Sequence, residues 1–237
     1  MEKRFFVVIH ALSMDEYGPE AYVHIISSAE IAFENGAHGV FLIPDYAKGN
    51  FMARSYDLEQ YYISLYQRYR DENFKIGVNF LSTKEFGFEL IFLASQYQFQ
   101  MIQTDGRSFI SKQDFPEMEI FSGVAFKYSE GVNLTGDDLK SACQKVLEHA
   151  TVPTTSGFKT GISPSLEKIK EIRKYLPSDC RLAIASGVSA ENVSDFMEAG
   201  ATDFLVASSL LKEKEDKMDI LDSLAVKRLA DIVRNHK

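Results

Sequence analysis

Eight short apolar runs, all but the fourth followed by a clear stretch with helical periodicity, recur from one end of the chain to the other. They fall at residues 5–10, 39–43, 75–80, 99–104, 120–126, 152–155, 181–185 and 203–206. Strands that alternate with helices in sequence pair in parallel, and a parallel strand buried on both faces reads as an unbroken apolar run. Eight such units in 237 residues, joined by short connections, fit a closed (β/α)8 TIM barrel better than an open doubly wound sheet. No linker or low-complexity segment divides them, so the expectation is one barrel domain over residues 1–237.

The helical segments carry their own signals. Pro19 suits a first helical turn and Asn35-Gly36 a stop, which brackets the first helix. A second, over 58–70, places Tyr61, Tyr62, Tyr66 and Tyr69 at helical spacing, as a packing surface or a subunit contact. A third, over 84–98, is apolar on most sides, which suits burial beyond one face, as in a homo-oligomer. The fourth unit is irregular, since after Asp105-Gly106 only 109–114 precede Pro116. The remaining helices are expected at 136–149, 165–176, 190–199 and 220–235.

Composition excludes several function classes. A net charge of -8 with no local Lys/Arg cluster argues against a nucleic-acid partner, and the mixed-sign run at 212–217 reads as a solvated loop. No apolar run approaches the ~20 residues of a membrane span. The first strand follows Met1-Glu2-Lys3-Arg4 directly, leaving no signal-type segment. Cys143 and Cys180 have neither metal-ligand spacing nor disulfide density, which points to the cytoplasm. No spacing motif calls for a metal or another cofactor.

In a TIM barrel the site forms at the C-terminal strand ends, with phosphate held after strands seven and eight. Three such ends share a texture: residues 156–161 (Ser-Gly-Phe-Lys-Thr-Gly), 186–189 (Ser-Gly-Val-Ser) and 207–209 (Ala-Ser-Ser). Small-residue turns that open helices present free backbone N–H groups, which suit an anion. Gly157, Thr160, Gly161, Ser186, Gly187, Ser208 and Ser209 are therefore the phosphate-binding candidates. Their alternative reading is ordinary loop punctuation.

Chemistry would lie opposite. The catalytic candidates are His10, Asp45, Asn79 and Lys127, at the ends of strands one, two, three and five. His10 serves equally as a hydrogen-bonded barrel residue, and Asp45 divides in the same way. Asp105, beside Gln103 and Thr104 at the end of strand four, doubles as a turn former. Lys127 follows Val124-Ala125-Phe126 without a break, so alternation points it either into the mouth or out among the helices.

With these residues laid out, the chain resembles the BtpA/SgcQ family of TIM barrels. Val8-Ile9-His10, Gly77-Val78-Asn79 and Val124-Ala125-Phe126-Lys127 resemble its first, third and fifth strand ends. Residues 156–161 resemble its Thr-Gly-x-x-Thr-Gly turn, and 186–193 and 207–210 its last two motifs. Three positions depart: Pro44-Asp45 replaces Glu-Asn, Lys127-Tyr128 replaces Lys-His, and Met101-Ile102-Gln103 replaces Arg-x-Asn. The resemblance implies a barrel that grips phosphate, and the family has no settled activity to carry over. The turns at Gly161 and Ser186 are also similar to phosphoribosylanthranilate isomerase, whose catalytic cysteine at the first strand end is here the Ile9-His10 region.

Two functions follow as expectations. One is an enzyme doing isomerase, aldolase or lyase chemistry on a phosphorylated small molecule, a sugar phosphate or nucleotide-like ligand. The other is a non-catalytic binding or assembly factor that retains the anion pocket.

Overall fold

A computed structural model of the protein describes residues 1–44, 51–79, 95–104, 110–127, 131–212 and 219–236, with the backbone alone for 51–55. Eight parallel strands close into a barrel in sequence order. They are β1 (Arg4–Ala11), β2 (Gly39–Pro44), β3 (Lys75–Asn79), β4 (Met101–Thr104), β5 (Glu119–Gly123), β6 (Val152–Thr155), β7 (Ala183–Ile184) and β8 (Asp203–Val206). β8 returns to β1 in parallel register, with Arg4 opposite Asp203 and Val7 opposite Val206. The expected (β/α)8 architecture is what forms.

Helices cover the outside: α1 (Met14–Tyr17), α2 (Pro19–Glu34), α3 (Phe51–Tyr69), α4 (Gly136–Leu147), α5 (Leu166–Tyr175), α6 (Val193–Glu198) and α7 (Ser223–Asn235). α2 starts with Pro19 at N1 and stops at Asn35, as its end signals dictate. Ser165 Oγ accepts the Lys168 N–H at the start of α5, and Asp222 caps α7 through the Leu224 N–H at 2.9 Å. Most of the expected helix at 84–98 lies outside the described residues, with helix seen at 95–97. The described part of the fourth unit, 110–118, is non-helical, as Pro116 leads one to expect. In the tyrosine stripe of α3, Tyr61, Tyr62 and Tyr69 are buried within the chain and Tyr66 is half-exposed, so most of that stripe is packing.

Alternation along the strands fills the barrel in layers. Along β1, Arg4, Phe6, Val8 and His10 share one face, so a charged base, an aromatic middle, an apolar floor and a polar mouth are written into a single strand. At the base, Arg4 donates to Glu119 through both terminal guanidinium nitrogens at 3.0 and 2.6 Å and to Asp203 through Nε at 2.7 Å. Lys75 also contacts Glu119, and Arg181 pairs with Asp203 at 2.8 Å. Above them the rings of Phe6, Phe41 and Phe121 meet edge to face, with centroids 5.1–5.8 Å apart. Glycine at 77 makes room for the Phe41 ring, since a Cβ there would lie 2.5 Å from it.

Gly77→Ala is therefore expected to cost about 1–3 kcal/mol by overpacking. For a chain of this size that lowers the melting temperature by about 2–4 °C per kcal/mol. Adding Phe41→Leu, which removes ring atoms, should recover part of it. Equal thermal melts for wild type and Gly77→Ala would show that the Phe41 ring moves aside freely.

Candidate functional site

The C-terminal ends of the strands surround a cavity of about 360 Å³. Its floor is apolar, made by Val8, Ile43 and Leu205 from β1, β2 and β8 and by Ala185 just after β7. His10 and Asn79 stand above it because each lies an even number of residues from an inward-facing position on its own strand, Phe6 and Gly77. Gln103, which pairs in register with Asn79 across β3 and β4, adds a second carboxamide to the lining.

Lys127 also lines the cavity, which settles the direction that alternation left open. β5 stops at Gly123, short of the expected 126, and Ala125 adopts a left-handed φ of 47° that breaks the alternation. Two ties hold this kink. Lys168 donates to the carbonyls of Ala125, Ser156 and Val132 at 2.5, 2.8 and 3.1 Å. Ser156 Oγ accepts the Lys127 N–H at 2.7 Å. Burial pushes the Lys168 ammonium down to about 8, and its three carbonyl partners give it a structural task rather than a free amine.

Opposite, Thr160, Gly161, Ser186, Gly187, Ser208 and Ser209 all border the same cavity. Hydroxyls knit their three turns together: Ser186 Oγ donates to Lys159 O at 3.3 Å and Ser209 Oγ to Val188 O at 2.7 Å. Asn192 braces the middle turn, accepting the Ser189 N–H and donating to Gly187 O, each at 2.8 Å. Those two hydroxyl protons are thereby engaged within the turns. The 3-10 turn Ser208–Leu210 makes its first bond from the Leu210 N–H to Ala207 O, so its geometry leaves the Ser208 and Ser209 N–H groups outside that bonding.

Gly157 plays a different part from the other turn residues. It does not border the cavity, and a Cβ on it would fall 2.1 Å from Ile162 O. Its lack of a side chain lets the β6 turn fold over itself. Asp45, Asp105 and Tyr128 lie outside the described residues. Asp219 reaches the mouth without any strand-end signal in the sequence, its Oδ2 lying 2.7 Å from His10 Nδ1. Among the described residues, no helix is long and apolar enough to cross a membrane, and no three His, Cys, Asp or Glu converge on a metal position.

Residues 113–211 match the Ribulose-phosphate 3 epimerase family. That span is under half of the chain, and it runs from before β5 through the β8 turn. No curated protein matches. Among solved structures, thiamine phosphate pyrophosphorylase from Pyrococcus furiosus superposes with a TM-score of 0.63 at 14% identity, covering 97% of this chain and 95% of that one. Phosphoribosyl anthranilate isomerase from Thermotoga maritima gives 0.62 at 14% identity, covering 98% of each. The native KDPGal structure gives 0.60 at 16% identity, covering 99% and 94%. The fold is that of the ribulose-phosphate-binding barrels. At these identities the solved structures speak for the fold alone. The family match falls on the part of the barrel that carries the three turns and omits His10 and Asn79.

Proposed function

We propose that this barrel binds a phosphorylated small molecule, a sugar phosphate or nucleotide-like ligand, and moves a proton on its carbon skeleton, as isomerases, aldolases and lyases do. One observation carries the reading: His10, Asn79 and Lys127 share a single cavity with the turns after β6, β7 and β8. Backbone N–H groups near Gly161, Gly187 and Ser209 would hold the phosphate. His10 would give or take the proton, while the Lys127 ammonium and the Asn79 carboxamide stabilise negative charge developing on a substrate oxygen. Within this class the motif residues favour a BtpA-like assignment. The free thiols of Cys143 and Cys180 are in keeping with a reducing cytoplasm.

A thermal-shift panel of phosphorylated metabolites and inorganic phosphate tests the ligand class. A ligand at 100 times its Kd adds about 2.7 kcal/mol, which is several degrees for a chain of this size. No response to any member would refute the phosphate site. Once a substrate is found, His10→Ala and Lys127→Ala are expected to keep binding and lose about 10²-fold or more in kcat. Unchanged turnover in both would favour the reading in which the pocket binds without those groups acting.

A further inference from the structure

The chain beyond the β8 turn folds back on that turn. Leu211 and Leu221 form an antiparallel bridge, the Lys212 N–H donates to Ile220 O, and the Asp222 N–H donates to Leu210 O, both at 2.8 Å. Asp219, next to Ile220, is thereby anchored to the turn whose first residues, Ser208 and Ser209, border the cavity. From there it crosses to β1, where its Oδ2 lies 2.7 Å from His10 Nδ1. The pair is only partly open to water, at 34% exposure for the His10 side chain and 16% for Asp219.

A carboxylate accepts hydrogen bonds and does not donate them. With Asp219 at Nδ1, a neutral His10 must carry its proton on Nδ1 and keep its lone pair on Nε2. A second imidazole stands near. Burial pushes the pKa of His24, on α2, downward, with the Asp219 charge opposing it, which favours the neutral imidazole at neutral pH.

We propose that Asp219 is the positioning residue of this site, holding His10 in the Nδ1–H tautomer with Nε2 turned to the ligand, and that it does so from the phosphate-gripping turn itself. The proposal deepens the phosphate-ligand reading and rests on it for its catalytic meaning. When Nε2 takes a proton from substrate, the ring becomes an imidazolium whose charge Asp219 balances, and the same proton can be returned to another carbon or oxygen. Because Asp219 hangs from the β8 turn, the group that grips the remote phosphate and the group that aims the base belong to one hairpin. His10 is thus oriented before the ligand arrives.

The tautomer can be read without a substrate. Long-range 1H–15N spectra of the full-length labelled protein at neutral pH resolve imidazole nitrogens, and His10→Gln assigns the His10 signals. Wild type is expected to show His10 as the Nδ1–H tautomer. Asp219→Ala, which removes the acceptor at Nδ1, should move the population toward Nε2–H. A wild-type His10 in the Nε2–H form, or an unchanged tautomer in Asp219→Ala, overturns the proposal. Thermal shift with inorganic phosphate and the metabolite panel runs alongside. If the tautomer depends on Asp219 but no phosphorylated compound binds, the Asp219–His10 assignment stands and the phosphate reading falls. If phosphate binds and the tautomer ignores Asp219, the assignment falls alone.

Discussion

Glu119→Gln is expected to destabilise the barrel by about 3 kcal/mol, the low end for breaking a buried ion pair by removing one partner. The low end applies because Arg4, though it loses its bidentate partner, keeps Asp203 at 2.7 Å. At about 2–4 °C per kcal/mol this corresponds to a melting temperature roughly 6–12 °C lower. The pH dependence follows from the same contacts. Burial alone would raise the Glu119 pKa, but Arg4 and Lys75 outweigh it and hold the carboxyl down to about 2, from an ordinary 4.5. A carboxyl with a depressed folded pKa stabilises the fold above its unfolded pKa. That contribution is lost as pH falls from about 4.5 toward about 2. Wild type should therefore lose stability steeply across that window, and Glu119→Gln should show a flatter acid limb. Denaturant unfolding at several pH values measures both. Arg4→Met combined with Glu119→Met should cost less than the sum of the two single variants. Parallel acid limbs in wild type and Glu119→Gln would show that Glu119 is not the group responsible.

That basal cluster shows what this sequence discloses and what it hides. Barrel closure is legible because eight apolar runs at short spacing leave few other ways to bury them. His10 and Asn79 are legible because two-residue alternation carries an inward face from the base of a strand to its mouth. Alternation fails where a distant residue imposes the backbone. β5 ends at Gly123, and Ala125 is held at a left-handed φ of 47° beside the Lys168 ammonium, 43 residues on. β7 shrinks from the expected 181–185 to Ala183–Ile184 at the edge where Arg181 turns to Asp203. Asp219 is illegible for the same reason. It follows a mixed-charge run that reads as solvent-facing, yet its partner is 209 residues away on the first strand. Gly157 has the composition of an anion turn, but only the fold reveals that its missing Cβ makes room for Ile162 O.

Gly187 is where fold and ligand meet most closely, and Gly187→Ala should lower phosphate affinity by about tenfold or more while leaving a folded barrel. Two costs add. Its φ of 63° is left-handed, which costs an alanine about 1–2 kcal/mol. The new Cβ would also stand 2.3 Å from Ser163 N and 2.8 Å from Ile162 C, both main-chain atoms of the β6 turn. A flexible side chain could swing away from such a contact, but a backbone cannot, so the β6 and β7 turns must part. Parting them pulls Ser186 Oγ from Lys159 O and opens the mouth on the side where the anion would sit. Gly136→Ala separates the two effects. Its φ of 56° imposes the same conformational strain, but no atom lies within 4 Å of its Cβ, and it opens α4 rather than bordering the cavity. Both variants should melt lower than wild type, and only Gly187→Ala should lose the stabilisation given by the best-binding phosphorylated compound. Equal retention of that stabilisation in both would place the anion away from the β7 turn, whereas equal loss would tie it to global stability rather than to the closeness of two loops.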